Sequence, residues 1–156
     1  VEGFFSDHQV QLELAIDDDL PALDIDRTRI RQVLLNLLNN ARRFTENGRV
    51  RLEAGRSKGE VIISVKDTGP GIPKDIREDI FKPFFTTKDV GEGTGLGLAI
   101  SYGIIQEHGG DIQVRTRSGK GTTFTIFLPI HPEQGFEHDS GDTEDTVVNP
   151  DDSAIG

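Results

Sequence analysis

Residues Arg27–Phe44 read RTRIRQVLLNLLNNARRF, and how this stretch coils decides how the rest of the chain packs. Ile30, Val33, Leu34, Leu37, Leu38 and Ala41 recur at helical spacing and form one apolar stripe. Asp26 stands where an N-cap belongs. A second row, Arg29, Gln32, Asn36, Asn40 and Arg43, runs along another face at intervals of three or four residues. Polar helical rows are ordinarily solvated faces. Asparagine weakens that reading, because it is a poor helix former and a merely wet face favours Glu, Lys or Gln. An amide oxygen is a hard, neutral ligand that suits Mg²⁺, and an arginine one turn on suits phosphate. Spacing alone leaves both readings open.

Outward from this helix the pattern alternates between strand and helix signals. Upstream, Val10–Ile16 (VQLELAI) alternates and predicts a strand, followed by a polar connection through Pro21. Downstream, Arg49–Ala54 and Val61–Asp67 predict strands joined by GRSKGE. Pro73–Phe81 predicts a short helix with proline in its first turn. A long loop from Lys82 to Thr94 leads to a helix over about Leu96–His108, stopped by Gly109-Gly110. Asp111–Arg117 and Thr122–Leu128 predict two strands around SGKG. The order predicts an α/β two-layer sandwich, a mixed sheet packed on three helices, without internal repeat.

Composition limits the function classes. The 156 residues hold no cysteine, which excludes disulfides and thiolate metal sites. No apolar run approaches the roughly 18 residues of a membrane span. There is no methionine and residue 1 is Val, so the sequence reads as a piece of a longer protein. Net charge is −10, yet residues 131–156 contribute eight acidic side chains and no Lys or Arg. Residues 1–130 balance 17 basic against 19 acidic groups, which gives nucleic acid no electrostatic purchase. Residues 1–130 are therefore read as one domain and 131–156 as an acidic, unstructured tail or linker.

Three further motifs carry chemistry. Asp67 ends a strand and is followed by TGPGI, whose glycines permit a sharp turn with space above it. That is either an ordinary Asp-led turn or a carboxylate on a pocket floor, placed to accept from an exocyclic amine. Asp89–Leu98 (DVGEGTGLGL) is rich in glycine just before an apolar helix. Gly93-Thr94-Gly95-Leu96-Gly97 fits a phosphate cradle, because glycines let backbone N–H groups approach and the helix N-terminus adds a positive dipole end. It is neither a P-loop nor a Rossmann turn, since no GK[ST] follows and no strand immediately precedes it. SGKGTTF, with Gly119 and Gly121, is by itself a hairpin.

Taken in order, NLLNNARRFT, DTGPGI, FKPFF, GEGTGLGLAI and GKGTTF resemble the N box, first glycine box, F box, second glycine box and third glycine box of the GHKL superfamily. Within it they resemble the catalytic ATP-binding domain of bacterial sensor histidine kinases, over roughly Val10–Pro129. The resemblance implies the Bergerat α/β sandwich with a flexible lid over ATP. It implies that Asn40 binds Mg²⁺ with Asn36 as companion, that Arg43 contacts phosphates beside Phe44, and that Asp67 receives the adenine amine. It places Gly69, Gly71 and Ile72 along the nucleotide, and Phe81, Pro83 and Phe84 at the hinge of the lid. Gly93, Thr94, Gly95, Leu96, Gly97 and Leu98 fall on its phosphate-facing arm, Lys88 within reach of the γ-phosphate, and Thr122 beside the adenine pocket.

Other members of the superfamily, such as topoisomerase and chaperone ATPases, commonly carry Glu where this chain has Asn36. That Glu deprotonates an oxygen nucleophile. A neutral imidazole needs no such base, and Asn36 cannot be one. The resemblance therefore implies a histidine kinase, with a GHKL ATPase or a non-catalytic nucleotide-binding module as the alternatives. None of His8, His108, His131 and His138 has the context of a phosphoacceptor. His108 falls at a predicted helix C-terminus, where imidazolium is favoured. The expected partners are an N-terminal dimerisation and phosphoacceptor domain outside this chain and a response regulator. The chain is expected to be a cytoplasmic monomer by itself and part of a homodimeric, two-component parent.

Overall fold

The computed structural model describes residues 10–83 and 97–131 and the backbone of 146–148. Strands β1 (Val10–Ile16), β2 (Gly48–Ser57), β3 (Glu60–Asp67), β4 (Asp111–Arg117), β5 (Gly121–Pro129) and β6 (Thr146–Val148) form one sheet in the order β1-β2-β3-β5-β4-β6. β1 runs parallel to β2 and every other neighbouring pair is antiparallel, so the sheet is mixed as expected. β6 lies within the stretch expected to be unstructured and pairs with the edge of β4.

Helices α1 (Arg27–Phe44) and α2 (Gly97–Glu107) cover one face of the sheet. α1 starts where Asp26, in extended conformation, accepts the Arg29 N–H at 3.2 Å. Its buried stripe of Ile30, Val33, Leu37, Leu38 and Ala41 meets Val50, Val65, Phe124, Ile126 and Val114 from the sheet in one core. α2 ends in a Schellman motif: Gly109, with φ +73°, donates to Gln106 at 3.0 Å, and Gly110 donates to Ile105 at 2.9 Å.

Two expectations need correction. The predicted third helix, Pro73–Phe81, is not α-helical: only Arg77–Asp79 coils, as a 3₁₀ turn. Successive bonds Ile76→Pro73, Asp79→Ile76 and Lys82→Asp79 tighten the segment to three residues per turn. That pitch puts Arg77 and Ile80 on one side, where both are buried. The helix layer therefore has two α-helices among the described residues. The turn GRSKGE is also shorter than read. The strands run on to Ser57 and Glu60, leaving Lys58 and Gly59, both with positive φ, as a two-residue hairpin. The polar residues there hid the strand extension from any apolar alternation.

The opposite face of the sheet carries a cross-strand ion-pair network, Glu13 with Arg49 and Arg51, and Arg51 with Glu53. Such exposed pairs contribute little each.

Candidate functional site

The two helices are antiparallel neighbours, tied at both ends. At one end Arg29 pairs with Glu107, and the Asp26 N–H donates to His108 Nε2 at 3.0 Å. His108 Nδ1 in turn lies 2.7 Å from the Ile104 carbonyl. The ring therefore links the residue before α1 to the last turn of α2. At the other end Asn36 Nδ2 donates to the Gly97 carbonyl at 3.4 Å and to Ser101 Oγ at 3.2 Å. α1 thus presents Asn36 to the start of α2; Asn40, one turn on, is also half-buried, and Arg43 and Phe44 at the C-terminal end are more exposed. The adjacent Asn39 is used differently: its Oδ1 accepts from the Arg42 guanidinium at 3.4 Å.

At the edge of this helix layer the sheet ends in a polar row. Register places Asp67 beside Thr122, and Thr122 beside Thr116. All three point to the helix side, in phase with Val65, Phe124 and Val114, and all are buried. Thr116 and Thr122 hydroxyls lie 3.0 Å apart, and Thr116 Oγ1 accepts the Ile72 N–H at 2.8 Å. Asp67 Oδ1 accepts the Gly69 N–H at 2.9 Å. Asp67 is only 7% exposed and has no cationic partner among the described residues. Burial raises its carboxyl above the ordinary aspartate range, partly offset by backbone bonds from Gly69 and Thr122. A buried acceptor of this kind, lacking a countercharge, suits a neutral N–H₂ donor.

Glycine is required here by the protein itself. Gly71 has φ +79°, and a Cβ on it would lie 2.4 Å from the Arg117 carbonyl. A Cβ on Gly69 would lie 2.8 Å from the Phe44 carbonyl, so the end of α1 abuts the Asp67 turn. The same crossing is tied by Gly119 N–H donating to the Pro70 carbonyl at 2.8 Å. The C-terminal end of α1, the Asp67 turn and the Gly119–Gly121 hairpin therefore adjoin one another.

The structure brings together Asn36, Gly97 and the start of α2 on one side, and Asp67, Gly69, Gly71, Ile72 and Thr122 on the other. Leu98 is partly buried against the core. Phe81 is a core residue, its ring tilted against Tyr102 at 6.1 Å and edge-on to Phe124 at 6.5 Å. Phe84, Lys88, Gly93, Thr94, Gly95 and Leu96 lie outside the described residues. Three residues escaped the sequence reading. Thr116 had a signal, since it continues the Ile112, Val114 alternation onto the buried face. Ser101 and Arg77 had none: Ser101 is fully buried inside an apolar helix, and buried Arg77 anchors the loop through Nε to the Ile72 carbonyl at 2.8 Å.

Residues 25–132 match the family model described as "Histidine kinase-, DNA gyrase B-, and HSP90-like ATPase". The sensor histidine kinase ZraS of Escherichia coli K12 is 46% identical over 124 residues, 79% of this chain and 26% of that protein. The signal transduction histidine-protein kinase AtoS of the same organism is 44% identical over 120 residues, 76% of this chain and 19% of that protein. The chain thus spans about a quarter or less of these relatives. Among solved structures, the catalytic domain of histidine kinase ThkA superposes with TM-score 0.74 at 40% identity, covering 85% of this chain and 86% of that one. Full-length ShkA in complex with AMPPNP gives 0.72 at 36% identity, covering 84% of this chain and 29% of that one. No helix among the described residues is long and apolar enough to cross a membrane. With its mixed sheet under two helices, and with relatives of one kind by sequence and by structure, the chain belongs to the histidine kinase-, gyrase B- and HSP90-like ATPase family as an ATP-binding catalytic domain of the sensor histidine kinase type.

Proposed function

We propose that this domain holds Mg·ATP and delivers its γ-phosphoryl group to a histidine on a separate dimerisation domain, for relay to a response regulator. The observation that carries this reading is Asp67: a buried carboxylate with no cationic partner among the described residues, in a turn that abuts the end of the amide-bearing helix. Asp67 accepts the exocyclic amine of adenine, with Thr122 and Thr116 bordering the base. Asn40 and Asn36 face the triphosphate, where Asn40 offers an amide oxygen to Mg²⁺, and Arg43 at the end of α1 meets phosphate charge. Asn40 suits the metal as a hard neutral ligand. A Mg²⁺ held through Asn40 would take its remaining ligands from substrate phosphates and water, as this ion commonly does. The metal, when bound, neutralises charge that builds on the transferring group.

The chain's own residues position rather than react. A neutral imidazole nitrogen attacks the γ-phosphorus, the bond to the β–γ bridging oxygen breaks, and ADP leaves with those electrons. No side chain has to remove a proton before attack, which is why an amide at position 36 serves where a water-activating enzyme needs a carboxylate. The same reading takes residues 1–130 as the domain and 131–156 as an acidic tail or a linker. It places the chain in the cytoplasm, monomeric by itself and homodimeric in its parent.

The test is to mix the chain with its acceptor-helix domain and γ-labelled ATP, comparing wild type with Asn40→Asp, which keeps size but changes charge at the metal. Label is expected on the acceptor histidine only when both domains and Mg²⁺ are present, and is lost in the variant. Sustained phosphate release by the chain alone overturns the reading in favour of an ATPase. Nucleotide binding without labelling of any histidine overturns it in favour of a non-catalytic module.

A further inference from the structure

Asn36 raises a question that its place in the polar row does not answer: what fixes which way its amide points. The carboxamide is planar, with a donor on one side and an acceptor on the other. Its Nδ2 reaches two oxygens on α2, the Gly97 carbonyl at 3.4 Å and Ser101 Oγ at 3.2 Å. These use both N–H bonds. The carbonyl of Gly97 only accepts, so the flipped amide would set two acceptors against each other. Ser101 lies one helical turn beyond Gly97 and is 0% exposed, with its hydroxyl inside the α1–α2 seam. A hydroxyl so buried, in a helix otherwise lined by Ile104 and Ile105, destabilises unless it is hydrogen-bonded.

We infer that Ser101 is a positioning residue: with the Gly97 carbonyl it anchors the Asn36 amide nitrogen on α2, so that the amide oxygen is presented on the side away from α2, along the Asn36–Asn40 row. This deepens the Mg·ATP reading and rests on it. It also makes the amide row sensitive to α2. Any shift of α2 along α1 that breaks the seam releases the amide to rotate, and the row loses one fixed oxygen. Ser101 touches neither nucleotide nor metal; it acts through Asn36 alone.

The test has a ligand-free and a liganded arm. In the ligand-free chain, the side-chain NH₂ resonances of Asn36 are expected to be protected from solvent exchange. Ser101→Ala is expected to lower that protection, leaving only the Gly97 carbonyl as acceptor, and Ser101→Thr, which keeps the hydroxyl, to retain it. In calorimetric titrations with ATP, Ser101→Ala is expected to weaken binding about fivefold in Mg²⁺, the size of one neutral hydrogen bond, and to leave binding in EDTA unchanged. In an Asn36→Ala background the same substitution is expected to have no further effect. Equal weakening with and without the metal, unchanged Asn36 protection, or full additivity with Asn36→Ala overturns the positioning role while leaving the nucleotide reading intact. Failure of wild type to bind ATP in either buffer overturns that reading and this inference with it. Unchanged Asn36 protection in Ser101→Ala, measured without ligand, overturns the positioning role whatever the titrations show.

Discussion

An added Cβ at Gly121 would lie 2.1 Å from the Asp67 carbonyl, and one at Gly71 2.4 Å from that of Arg117; at Gly97 the nearest atom among the described residues is Asn36 Cγ at 3.9 Å. The sheet end of the candidate site is closed by backbone pressed on backbone, with positive φ at both glycines. The α2 end has ordinary van der Waals room, and two side-chain hydrogen bonds from a single amide span it. The contrast separates two uses of glycine that a sequence spells alike. One is needed for the fold to close at all. The other meets no close contact among the described residues.

The comparison breaks most readily at Gly121. Gly121→Ala combines a backbone collision with a strained φ and is expected to destabilise by about 3 kcal/mol or more. For a domain of this size that lowers the melting temperature by roughly 10 °C. A Gly121→Ala chain that melts like wild type would show that the sheet end relaxes as readily as the helix end. Next in size is Asp67→Asn, which should weaken ATP binding by about 10- to 100-fold, the range for a hydrogen bond to a charged group. Its melting temperature at neutral pH should hold or rise. The sign follows from burial: the folded carboxyl is raised, so its ionised form opposes folding. Its contribution to stability is full below the unfolded value, near ~3.9, and is lost as pH rises through the folded value. Urea melts across this acid range should therefore show Asp67→Asn gaining on wild type with rising pH; a gain on falling pH would contradict it.

A smaller effect sharpens the sheet end. Thr116→Val leaves the Ile72 N–H and the Thr122 hydroxyl without their shared partner and should destabilise by about 1–3 kcal/mol, read by chemical denaturation. Smallest in stability is Gly97→Ala, expected within about 1 kcal/mol of wild type because alanine is the better helix former. Its effect belongs to rate. If the glycine serves motion during turnover, phosphoryl transfer slows while ATP still binds; an unchanged transfer rate would remove that role from Gly97.

Much of this molecule was legible in order and composition. α1 carries its cap in Asp26 and its stripe at 3.6-residue spacing, and β1 and β4 occupy the spans their alternation predicts, because these signals are local and repeat along the chain. Asn36 and Asn40 stood out because asparagine is poorly explained by a wet helical face, whereas Asp67 by itself read equally well as an ordinary turn. Tertiary structure alone decided the rest. Within residues 73–81 only Arg77–Asp79 coils, as a 3₁₀ turn, with the buried Arg77 donating to the Ile72 carbonyl. Ser101 faces Asn36 across 65 residues of sequence, and Thr116 joins Asp67 through strand register. Periodicity states which face of an element is buried, but not which distant group waits there; that is fixed when the sheet and its two helices close on one core.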